Sequence, residues 1–306
     1  NLNQLSSHML AEHGPHLAQV FGGDSPVPSP QVATPSVIAV TPPEVAARTP
    51  LSATPPARAV VANAADSRIA VVGLSARFAR SRNADELWKN LASGTELVEE
   101  VTRWPLAQRD VRGNLKCTAG SLIEGLDEFD ALFFNISGAE ATCMEPQQRL
   151  FLQESWTAFE DAGYAGASIE QARCGVYAGC IASDYARILE RESDAPAQVF
   201  WGNAAALVPA RISYFLNLRG PAVAVDTACS SSLSAIHFAC KALRDGDIDV
   251  ALAGGVFVMC TPQFFDLCNR AEMVSPRGHC HAFDDRADGF VPGEGVGAIV
   301  LKRYDE

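Results

Sequence analysis

Nine cysteines and six histidines are the groups in this 306-residue chain best suited to covalent or acid–base chemistry, and one cysteine stands apart by its setting. An apolar run, Pro221-Ala-Val-Ala-Val225, leads into Asp226-Thr-Ala-Cys229, and a helical pattern follows at once. From Ser230 onward, Leu233, Ile236, Cys240 and Leu243 recur at the spacing of one helix face. The serines after Cys229 suit a helix cap and first turn, and Gly246 suits its stop. A thiol at a strand-to-helix corner lies beside unpaired backbone N–H groups and the positive end of the helix dipole. Both favour the thiolate, which is the nucleophilic form. Position alone leaves two readings of Cys229 open: a nucleophile, or a buried and inert thiol of the kind common in protein cores.

The string Asp226-Thr-Ala-Cys229-Ser-Ser-Ser-Leu233 resembles the active-site signature of the β-ketoacyl synthase (ketosynthase) domains of modular polyketide synthases. Met144-Glu-Pro-Gln-Gln-Arg149, Ala253-Gly-Gly-Val256 and Ala287-Asp-Gly-Phe-Val-Pro-Gly-Glu-Gly-Val-Gly297 resemble three further signatures, in the family's order. The resemblance implies that Cys229 takes an acyl chain as a thioester and lends its backbone N–H to the oxyanion. It implies no directly bound cofactor, the substrates arriving on the phosphopantetheine arm of an acyl carrier protein. In the family, enolate stabilisation and acid–base work fall to two histidines in H-G-T-G-T and N-I-G-H motifs, and neither motif is present here. The wording around Phe134-Asn-Ile-Ser137 and Phe290-Val-Pro-Gly293 resembles synthases served by a separate, trans-acting acyltransferase.

Those residues need elements to position them. Ile69–Gly73, Gly175–Ile181, 221–226, Val250–Val256 and Val296–Leu301 read as short buried strands. Helical patterns cover Asn83–Gly94, Pro146 to about Gly163, Asn203–Leu216 (with Pro209 predicting a kink or a break), the stretch after Cys229, and Gln263–Met273. The helix after Cys229 is apolar almost all round, which predicts burial on more than one side. Apolar strands alternating with helices predict an α/β fold with a mostly parallel five-stranded sheet. Ketosynthases resemble thiolases in having two such halves packed face to face, so the expectation is the N-terminal half of a thiolase-like fold, preceded by a disordered linker. Its order would be 1–23 as the end of a carrier-protein domain or a docking helix, 24–66 as a Pro/Ala-rich linker holding nine of the 18 prolines, and 67–306 as the ketosynthase half. A chain that starts without Met reads as cut from something longer.

A net charge of −12 without any Lys/Arg run argues against nucleic acid and anionic membrane surfaces as partners. The longest apolar runs are too short to span a bilayer, and the start lacks the pattern of a signal peptide. No two cysteines stand in C-x-x-C spacing, which fits reduced thiols in a cytoplasmic protein. His279-Cys280-His281 reads as a loop, because consecutive residues of an extended segment point to opposite sides. Gly293-Glu-Gly-Val-Gly297 precedes a strand instead of opening a helix, so it is no dinucleotide fingerprint. In Asp284-Asp-Arg-Ala-Asp288-Gly289, Arg286 stands where a calcium loop needs an oxygen ligand. His237 reads as a helix-packing residue two turns beyond Cys229, about 12 Å along the axis.

Three functions fit the sequence. The first is an elongating condensing enzyme, homodimeric when assembled and completed by a C-terminal half on a second polypeptide. The second is a non-elongating ketosynthase that only passes acyl chains between carriers. The third is a docking or assembly module whose cysteine is a relic.

Overall fold

The computed structural model of the protein describes residues 67–106, 115–164, 166–182, 184–190 and 196–306. The expected carrier-domain end at 1–23 and linker at 24–66 lie outside the described residues. In chain order the elements are β1 (Ile69–Phe78), α1 (Ala84–Ala92), the two-residue strands β2 (Glu99–Glu100) and β3 (Ala119–Gly120), α2 (Gly138–Cys143) and α3 (Pro146–Asp161). Then come β4 (Cys174–Gly179), α4 (Ala186–Leu189), α5 (Gln198–Gly202), α6 (Leu207–Phe215), β5 (Ala222–Val225), α7 (Ser231–Asp245), β6 (Val250–Phe257), α8 (Gln263–Arg270) and β7 (Gly295–Arg303).

The five longer strands form one sheet in the order β1-β7-β6-β4-β5. β4 is parallel to β5 and β6, whereas β7 is antiparallel to both β6 and β1. Four of the five strands therefore run the same way and only β7 is opposed, so the sheet is mostly parallel, as the alternation of strands and helices predicts, with one antiparallel member. The reason lies in the connection: α8 and the loops around it leave β6 and return to the same end of the sheet, so β7 enters antiparallel instead of crossing over. β1 also runs past Gly73, where the sequence pattern ended it. A bulge between Val71 and Gly73 lets the strand continue to Phe78, and a Cβ on Gly73 would lie 2.4 Å from the Ala158 carbonyl of α3.

Strand periodicity divides the core between the two faces. Val176, Leu252 and Val300 point to one side and pack with Phe151 and Phe159 of α3 and Ile212 of α6. Tyr177, Ala251, Ala253 and Leu301 point to the other and pack with Ala235, Ala239 and Leu243 of α7. Pro209 neither kinks nor breaks the helix. The helix begins only at Leu207, so the proline falls in the first turn, where its missing N–H removes no helical bond.

α7 stops where expected: Gly246 adopts φ 74° and its N–H reaches back to the helix carbonyls. Arg303 of β7 donates to the carbonyls of Leu243 and Ile248, both at 2.8 Å, and so fastens this end to the sheet. The expectation of burial on more than one side is not met within this chain. Only the stripe of Ala235, Ala239 and Leu243 is buried, while Leu233 is 71 % and Phe238 47 % exposed. The apolar composition of the outer face has no counterpart among the described residues.

Candidate active site

Cys229 stands at the corner between β5 and α7, and its side chain is exposed. β5 ends at Val225, whose carbonyl accepts the N–H of Cys180 at 3.1 Å, so the sheet is hydrogen-bonded up to the last residue before the turn. Ala228, immediately before the cysteine, adopts φ 56°. A left-handed conformation costs a residue with a Cβ about 1–2 kcal/mol. Side chains of the turn hold it there. Asp226 Oδ1 accepts the Ala228 N–H at 3.0 Å, and the Ser231 hydroxyl donates to the Ala228 carbonyl at 2.6 Å and accepts the Thr227 N–H at 2.9 Å. The Ser230 hydroxyl donates to the Thr227 carbonyl at 2.9 Å, and Thr227 and Ser234 share a hydrogen bond of 3.1 Å.

The serines thus have a different job from the one their sequence position implies. Ser230 is the N-cap residue, yet its hydroxyl does not cap the helix. The hydroxyls fix the strained turn, and the first turn of α7 keeps its backbone N–H groups directed at the cysteine end.

Two glycines let this helix end sit on the sheet. Gly179, the last residue of β4, and Gly255 of β6 are register partners. A Cβ on Gly179 would meet Ser231 C and Ser232 N at 2.6 Å, and one on Gly255 would meet Ser232 Cβ at 2.8 Å. The backbone of the nucleophile turn therefore lies against bare main chain, so its position is set by the sheet.

The histidines among the described residues stand elsewhere. His237 is exposed beside Phe238, their ring centroids 5.8 Å apart, so it does not pack the helix onto the sheet as its spacing suggested. His279 Nδ1 lies 3.2 Å from a Glu96 carboxylate and its ring 4.4 Å from that of His281. Among the described residues no group of three or more His, Cys, Asp or Glu is placed to hold a metal ion. In the Asp284–Gly289 segment, Arg286 donates twice to Asp284 and holds its carboxyl well below the usual range.

Two buried acids escaped the sequence reading as individuals. Glu294 accepts two hydrogen bonds from Arg103 at 2.6 and 2.9 Å, and one each from the N–H groups of Met259 (2.7 Å) and Ile123 (2.9 Å). It joins the end of β6, the start of β7 and the segments flanking β3; 191 residues separate the two ion-pair partners, so no local pattern announces it. Glu145 stands at the N-cap position of α3 and is buried, and burial pushes its carboxyl up to about 8, assisted by the nearby charge of Asp184. The capping position and Pro146 at N1 were legible; the burial was not.

Residues 66–306 match the family model described as the β-ketoacyl synthase N-terminal domain. The polyketide synthase PksL of Bacillus subtilis is 44% identical over 248 residues, which is 79% of this chain and 5% of PksL. The polyketide synthase ThaG of Burkholderia thailandensis is 45% identical over 241 residues, 76% of this chain and 4% of ThaG. Among solved structures, the ketosynthase from module 6 of the Bacillus subtilis bacillaene synthase superposes with a TM-score of 0.71 at 44% identity, over 78% of this chain and 40% of that one. An oxazolomycin ketosynthase domain from Streptomyces albus gives 0.72 at 36% identity, over 78% of this chain and 42% of that one. The chain spans well under half of the solved ketosynthases it matches. The fold is thus the ketosynthase, thiolase-like one, and the chain belongs to the β-ketoacyl synthase family, as its N-terminal domain.

Proposed function

We propose that this chain is the cysteine-bearing half of a polyketide synthase ketosynthase, in which Cys229 accepts an acyl chain from an acyl carrier protein for decarboxylative Claisen condensation. The observation that carries the reading is the exposed thiol on a strained turn held by side-chain hydrogen bonds, at the amino end of a helix whose backbone is pressed onto the sheet. The Cys229 thiolate attacks the thioester carbonyl, and the C–S bond to the pantetheine arm breaks. The acyl group stays on Cys229 and the departing pantetheine thiolate takes up a proton. On this reading the Cys229 backbone N–H serves the oxyanion, a contribution of about 10²–10³ in rate for one such donor.

Condensation also needs the acid–base work of two histidines, worth about 10²–10⁴ each in general terms. His237, His279 and His281 are not grouped around Cys229, so a C-terminal half supplies them. The uncovered face of α7, with Leu233 and Phe238 outward, supports such a half as its cover. β5 is an edge strand with Val223 exposed, which fits a homodimer of the assembled enzyme. Extender units come from a trans-acting acyltransferase on this reading. No helix among the described residues is long and apolar enough to cross a membrane, in keeping with a cytoplasmic assembly line.

The test is to incubate the chain, with and without the downstream polypeptide, with an acyl-thioester or iodoacetamide and to map adducts by mass spectrometry. Label concentrated on Cys229 and lost in Cys229→Ala is expected. Label spread evenly over the nine cysteines would defeat the assignment.

A further inference from the structure

A cavity of about 730 Å³ lies at the amino end of α3, and none of its lining residues belongs to the 226–234 turn. Its apolar wall includes Leu97, Val101, Leu122, Ile188 and Met259. Three arginines also line it. Two of them have anionic partners: Arg103 is bound to Glu294, and Arg80 lies 3.1 Å from Glu99. The third, Arg149, is 9 % exposed. Its Nε is buried without a hydrogen-bond partner, and no ion pair among the described residues includes it. Its nearest aromatic companion is Tyr185, whose ring centroid lies 5.8 Å from the guanidinium carbon.

A buried guanidinium is stable when a planar anion meets its fork of donors. Here the volume in front of it is that of a small-molecule site. The acids Glu100, Glu124 and Asp127 also line the cavity and disfavour a dianion such as phosphate. A single carboxylate on an apolar body satisfies both the lone cation and the aliphatic wall.

We propose that this cavity is a binding site for amphipathic monocarboxylates, with Arg149 holding the carboxylate and the Leu97–Val101–Leu122–Met259 wall taking the hydrocarbon. The site is separate from the acyl-transfer chemistry assigned to Cys229, so it stands whether or not that assignment does.

The probe is octanoate, titrated calorimetrically into the full chain, in complex with its C-terminal segment where solubility needs it. Octanol, octylamine and inorganic phosphate serve as comparisons. Octanoate should bind saturably, and octanol, octylamine and phosphate at least about tenfold more weakly, as expected for the loss of a charge-assisted contact. Arg149→Leu should weaken octanoate by about 10–100-fold while leaving iodoacetamide labelling of Cys229 unchanged. Ile188→Trp, which narrows the cavity and leaves Arg149 in place, should abolish binding. Equal affinity for octanol, no saturable octanoate binding, or undiminished binding by either variant would overturn the proposal. Should Arg149→Leu fail to fold, the octanoate-to-octanol ratio on the unaltered chain and the Ile188→Trp result decide it.

Discussion

Glu145 makes stability depend on pH in an unusual direction. Burial raises its carboxyl to about 8, so the folded chain holds this proton more tightly than the unfolded chain does. A folded-state value above the unfolded one of about 4.3 means the contribution is fully present below about pH 4 and is lost as pH rises through about 8. At about 1.4 kcal/mol per pH unit between those limits, the folded state should lose roughly 2 kcal/mol between pH 6 and pH 8 from this group alone. For a domain of this size that corresponds to a fall in Tm of about 4–8 °C. Asp184, Cys180, Cys260 and Tyr185 are titratable neighbours, and the Asp184 charge pushes Glu145 the same way. Glu145→Gln mimics the protonated acid and has no proton to lose. Its stability should match the parent's near pH 5 and exceed it by several kcal/mol, about 4, near pH 8. Urea denaturation of both proteins at pH 5, 6, 7 and 8 measures the difference directly. Parallel pH profiles for parent and variant would refute the reasoning, because Glu145 would then be ionised in the folded state without penalty.

Further outcomes follow from the nucleophile turn and its helix. Gly179→Ala places a Cβ 2.6 Å from the backbone of Ser231 and Ser232 and should cost about 1–3 kcal/mol, read as a lower urea midpoint, together with slower alkylation of Cys229. Ala228→Gly removes the left-handed strain and should raise stability by about 0.5–1 kcal/mol; a lowered midpoint would show that the turn is not strained. Leu233→Asp should leave the chain folded, since the side chain is largely exposed here, yet should prevent co-purification with the C-terminal half. Arg103→Ala leaves the Glu294 carboxylate buried without its partner and should destabilise by about 3–5 kcal/mol, measured by the same denaturation.

Much of this was legible from periodicity. The five strands, the helix start after Cys229 and its stop at Gly246 follow from apolar spacing and terminal residues, which are local properties. The corner position of Cys229 follows from the same signals. What escaped was set by contacts distant in sequence. The αL conformation of Ala228 has no signature in an alanine, and it exists because Asp226, Thr227 and Ser231 hold it. Gly179 and Gly255 read as strand glycines, while their purpose, the seat of α7, appears only when β4 and β6 lie side by side. The Arg103–Glu294 pair is invisible for the same reason. The apolar composition of α7 predicts burial on more than one side, and the described residues bury only one. The direction of β7 depends on how a loop returns, which hydrophobic spacing does not encode.

The pairing of β1 with β7 carries a consequence in time. Among the described residues β1 has its sheet neighbour in β7, roughly 220 residues later in the chain. At typical synthesis rates of about 5–20 residues per second, β1 waits on the order of 10–40 s for its partner to be made. Through that interval its backbone is an unpaired edge, open to other chains. Arg103 waits almost as long for Glu294, 191 residues later and immediately before β7. A ribosome that stalls between β6 and β7 therefore holds a product with an orphan strand and an orphan cation, and the seat of α7 is the part of the sheet already assembled.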